Sequence, residues 1–187
     1  SSEWNYGYSL VIIGTSATVT LPEGTKLEFV KPSSDDFGDT YQVWQQPEDS
    51  KTYVAGATLH LKNSVANSGG VGANYKDCYL DINGIEYWFN SLGRIKHIQK
   101  ADKILNVSYE FSNDADSFVI NKLVDSDGNQ YCINYSLYNV NNENYIYASK
   151  IELKDHNNNP ISFDNVPIEI NISNTVSGSN IISTYTY

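Results

Sequence analysis

Apolar and polar residues alternate along much of this chain with a period of two. In "TSATVTL", Ala17, Val19 and Leu21 alternate with Ser16, Thr18 and Thr20. In "TYVAGATLHLK", Tyr53, Ala55, Ala57, Leu59 and Leu61 fall on one side. The same rhythm groups Leu105, Val107, Tyr109 and Phe111 in "KILNVSYEF", and Val166, Ile168, Ile170 and Ile172 in "VPIEINI". Successive side chains of a strand point to opposite faces. Each run therefore predicts a strand with one face on a core and one in water, the habit of antiparallel sheets.

Turn chemistry falls between these runs. Asn83-Gly84 in "YLDINGIEYWF" suits a type I′ hairpin, because both residues tolerate positive φ. Asp127-Gly128 predicts a second hairpin and the Asn-rich stretch before Pro160 a third. One segment departs from alternation. Leu92, Ile95, Ile98 and Leu105 fit a helical stripe, which predicts one short helix near residues 94–104. The run Leu10-Val11-Ile12-Ile13 does not alternate either, and predicts burial on both faces. It suits a central strand paired through Gly14 with the strand that follows. It would also suit a strand donated to a neighbour's sheet.

The expected fold is an all-β antiparallel sandwich with Ig-like or jelly-roll connections, ten or more strands and at most that one helix. A single domain over 1–187 is expected, with a division near 112, where Asn becomes more frequent, as the alternative. The segment "KIELKDHNNNPISFDNVPIEINI" resembles the strand-turn-strand of bacterial Ig-like surface domains. The resemblance covers those residues alone and implies an extracellular Ig-like architecture.

Composition narrows the setting. Charged residues are 18% of the chain, while 15 Tyr, 6 Phe and 3 Trp make it aromatic-rich. Such a surface of Asn, Ser, Thr and Tyr suits an extracellular or cell-surface protein. The net charge of −10 and the single arginine, Arg94, exclude a nucleic-acid partner, since phosphate recognition needs clustered cations. No run approaches the roughly 20 apolar residues of a membrane-spanning helix. Residues 10–13 are too short for a signal peptide's apolar region and follow Glu3 rather than a positive stretch. Cys78 and Cys132, the only cysteines, have no metal or redox spacing. They are as compatible with a disulfide as with two separate thiols.

Catalytic signatures are missing. His60, His97 and His156 lie far apart, and neither a nucleophile elbow nor a phosphate loop is present. The acidic-aromatic stretch "SSDDFGDTYQVWQQPED" is the leading binding candidate. Asp36 and Asp39 supply carboxylates for sugar hydroxyls, while Tyr41 and Trp44 supply rings for the apolar faces of sugars. Trp88 is a second platform, because Tyr87 and Phe89 share the opposite face of their strand. Tyr135, Tyr138, Tyr145 and Tyr147 form a third group around an Asn-rich turn. Asp125, Asp127 and Asn129 in "DSDGN" offer oxygens at alternate positions, as calcium loops do, but no Glu closes the loop. Asn106, Asn134 and Asn171 begin Asn-x-Ser sequons, which an Asn-rich chain produces by chance.

The expected function is a secreted or cell-surface binding module that recognises a glycan without catalysis. The alternative is a structural subunit of an extracellular filament or matrix, self-associating by donation of residues 8–13.

Overall fold

A computed structural model of the chain describes residues 7–33, 41–63, 75–114, 116–178 and 180–186. All regular structure among the described residues is β, and every strand pairing is antiparallel. The chain divides into two compact units, Asn5–Ile104 and Leu105–Tyr187.

In the N-terminal unit, β1 (Ser9–Ile13), β2 (Ser16–Thr20) and β3 (Lys26–Val30) form a three-stranded sheet. β4 (Gln42–Trp44), β5 (Ala57–Asn63), β6 (Tyr75–Ile82), β7 (Ile85–Phe89) and β8 (Ile95–Lys100) then follow one another side by side. Both edges of the small sheet are bridged to this meander, by Ser9 with Arg94 and by Val30 with Gln45. The Leu10 N–H donates to the Gly93 carbonyl at 2.8 Å and the Val30 N–H to the Gln45 carbonyl at 2.9 Å. Gly93 is required at that seam. Its φ is +74°, and a Cβ there would lie 2.1 Å from the Leu10 carbonyl oxygen.

Val19, Leu27, Phe29, Trp44, Leu59, Leu61, Leu80 and Ile95 are fully buried, each from the inward parity of its strand. Asn83 and Gly84 take φ of 52° and 86° between β6 and β7, the positive values that a type I′ hairpin needs.

Two local expectations are corrected. The aliphatic run is not buried on both faces: Ile12 is inside, while Val11 and Ile13 are 55% and 65% exposed. β1 pairs with β2 in its own chain, so residues 8–13 cannot be donated without breaking that ladder. The helix near 94–104 is replaced by β8, a turn at Ala101-Asp102 and the start of β9 (Lys103–Ser112). The cause is a β-bulge. Ile95 pairs with Phe89 and Ile98 with Tyr87, with a register shift between them. The extra residue puts positions three apart on one face, which imitates a helical stripe.

Gln46 organises the loop between β4 and β5. Its buried Nε2 donates to the carbonyls of Val54 and Ala57 at 2.7 and 3.0 Å, and its Oε1 accepts the Val54 N–H at 2.9 Å. Gln46→Leu leaves the Val54 N–H and the Ala57 carbonyl without this partner, at about 1–3 kcal/mol for each one left without water. It is expected to lower unfolding stability by several kcal/mol in urea denaturation, and an unchanged midpoint would refute this role.

In the C-terminal unit, β9, β10 (Ser117–Val124), β11 (Gln130–Val140), β12 (Glu143–Lys154), β15 (Glu169–Ser177) and β16 (Asn180–Thr186) lie side by side. β13 (Ser162–Phe163) and β14 (Val166–Pro167) form a small hairpin between β12 and β15. Val107, Ile120, Ile133, Ile146, Ala148 and Ile172 are buried. Lys150 bridges Glu152 and Glu169 at 3.0 Å each. Strands adjacent in both meanders are adjacent in sequence, apart from the hairpin excursion. The expected Ig-like or jelly-roll connections thus give way to up-and-down ones among the described strands. Cys78, buried in β6, and Cys132, half-buried in β11, are free thiols.

Candidate functional site

The outward parity of β5 to β8 carries a ladder of rings. Cross-strand register sets His60 opposite Tyr79, Tyr79 opposite Trp88, and Trp88 opposite His97. Strands in a sheet lie about 4.8 Å apart, so side chains in register stack. Ring centroids are 4.5 Å apart for His60–Tyr79, 4.5 Å for Tyr79–Trp88 and 5.1 Å for Trp88–His97, with interplanar angles of 6°, 26° and 20°. Stacked rings turn their faces to one another, so the ladder shows mostly ring edges to solvent. Tyr41, just before β4, meets Tyr79 and Trp88 at 68° and 87°, with its centroid 5.4 and 6.1 Å from theirs. Both contacts are edge-to-face.

Polar groups flank the rings. The Trp88 indole N–H donates to Glu86 Oε1 at 3.0 Å, and Thr58 Oγ1 lies 2.9 Å from His60 Nε2. Lys96 Nζ sits 5.7 Å from the Trp88 ring centroid, a cation–π contact, and 3.6 Å from Asp77 Oδ1. The β8 bulge that disguised this strand brings both Lys96 and His97 to Trp88. Partial burial raises the Tyr41 and Tyr79 hydroxyls above the ordinary range, helped by Asp77 and Glu86 at Tyr41 and by Glu86 and Asp81 at Tyr79.

Burial also holds His60 and His97 below the ordinary histidine value, with Lys96 adding to the effect at His97. Glu86 opposes it at both sites and Asp81 at His60. The folded state therefore resists protonation more than the unfolded chain does. Stability is complete while both imidazoles are neutral, and falls as pH drops below about 6.5 towards the folded-state values. Chemical denaturation from about pH 7.5 to about pH 5 is expected to show this decline, and His60→Gln with His97→Gln should flatten it. A decline of the same size in the double variant would contradict the assignment.

The structure separates the residues offered by the acidic-aromatic stretch. Trp44 is in the core, with its indole N–H donating to buried Gln42 at 2.9 Å, and cannot meet a ligand at the surface. Tyr41 joins the ladder, while Asp36 and Asp39 lie outside the described residues. Trp88 is on the outer face. Tyr79 joins Trp88 from the same aromatic group of the Asn83-Gly84 hairpin, while His60, His97, Glu86 and Lys96 are brought beside them by the fold. The Asn83-Gly84 turn alone fixes the Tyr79–Trp88 pair. The two histidines depend on the long β5–β6 connection and on the bulge.

At the "DSDGN" turn, Asp125 Oδ1 accepts the N–H groups of Asp127 and Asn129 at 3.0 and 2.9 Å. The carboxylate offered for calcium thus closes its own turn. Asp155 does the same for Asn157 and Asn159, at 2.8 and 3.0 Å. Among the described residues, no group of three or more His, Cys, Asp or Glu is placed to hold a metal ion. No helix among the described residues is long and apolar enough to cross a membrane. Comparison with protein-family models and with curated proteins gives no match.

Proposed function

We propose that this chain is a secreted or cell-surface binding module that recognises an uncharged glycan through the outer face of β5–β8, without catalysis. One observation carries the reading: Tyr41 lies across an ordered ladder of Tyr79 and Trp88 on a surface flanked by Asp77, Asp81, Glu86 and Lys96. Tyr41 supplies a ring face for sugar C–H groups, and the flanking carboxylates accept hydrogen bonds from hydroxyls. Three carboxylates beside the rings, in a chain of net charge −10, favour neutral sugars over uronic acids or sulfated polymers.

Broad glycan-array binding, with and without calcium, tests the proposal. Tyr41→Ala and Trp88→Ala are each expected to weaken binding about tenfold or more while circular dichroism stays unchanged. No binding across neutral glycans, or binding by both variants as tight as the wild type's, would overturn it.

A further inference from the structure

The small sheet of the N-terminal unit has both edges bridged. β16 is different. It pairs with β15 from Asn180 to Thr186 and is outermost in the strand order, with no described strand beyond it. Natural edge strands are protected from pairing by lysines, prolines, bulges or a covering element. The seven residues of β16, NIISTYT, hold no charge and no proline, and pair with β15 without a register shift. Ile182 and Tyr185, on opposite faces, are 54% and 55% exposed.

We propose that β16 is a self-association edge that pairs antiparallel with β16 of a second copy of this chain, centred on Ser183. Charge selects this mode of approach. Residues 105–187 carry ten Asp and Glu against three Lys, so two copies meeting face to face repel each other. The edge brings no ionised side chain opposite another. With Ser183 opposite its own copy, Ile182 lies opposite Thr184 on both sides of the two-fold axis. These are β-branched pairs of the kind that stabilise sheets. A two-fold interface repeats every contact, so each substitution acts twice.

Sedimentation equilibrium of the full chain over a concentration series tests this. The wild type is expected to follow a monomer–dimer equilibrium. Ile182→Lys with Tyr185→Lys should raise the dimer dissociation constant by about tenfold or more, by placing like charges across the edge. Val176→Lys places a lysine on β15, an interior strand, and should leave the constant within about threefold of wild type. Circular dichroism confirms that the variants fold. A wild type that stays monomeric throughout, or edge and control variants that associate alike, would overturn the proposal.

Discussion

Trp44→Ala is expected to unfold the N-terminal unit, or bring it close to unfolding, rather than to remove a ligand contact. The indole is 0% exposed and sits among Phe29, Leu59, Leu61 and Leu80 in the set of fully buried side chains. Cutting a buried aromatic back to alanine costs about 3–5 kcal/mol, because a cavity is left as well as the transfer energy lost. Gln42 Oε1, buried and accepting the indole N–H at 2.9 Å, also loses its partner. An unsatisfied buried acceptor adds about 1–3 kcal/mol. Together these approach the 5–15 kcal/mol that typically holds a whole domain. Urea denaturation monitored by circular dichroism measures the effect. Trp88→Ala, which removes a ring from the outer face, should shift the midpoint far less. Equal destabilisation by the two variants would refute the division between core and surface.

Deleting residues 1–14 is the second large effect. β1 contributes one buried aliphatic, Ile12, worth about 1.5–3 kcal/mol. Val11 and Ile13 are exposed and add little, so side-chain burial in β1 alone would not predict collapse. The seam does. Without β1, the register from Ser9–Thr20 to Ile13–Ser16 is lost, and so is the Leu10–Gly93 hydrogen bond that closes the sheet. One side of the core over Ala17, Val19 and Phe29 is then open to water. The truncated chain is expected to lose cooperative unfolding and to elute as aggregate in size-exclusion chromatography. A truncated chain that stays folded would show that β1 is dispensable and available for donation.

Alternation by itself determined the class of structure and the sides of most strands. In "TLHLK", Leu59 and Leu61 go inward and His60 outward, because a strand gives each residue no other choice once its neighbours are apolar. The Asn83-Gly84 hairpin is equally local. Its turn needs two positive φ values, these two residues supply them, and the Tyr79–Trp88 pairing follows from the register. What failed was everything set by a partner strand. The β8 bulge exists only relative to β7, so the spacing of Ile95 and Ile98 looked helical. Trp44 and Trp88 are alike in composition and setting. Trp44 is fully buried and Trp88 lies on the outer face, because tertiary packing decides which face of a sheet is covered, and no residue near either encodes that. The ring ladder has the same origin. His60 and His97 are 37 positions apart and enter one array through three successive registers, a relation that only tertiary pairing creates.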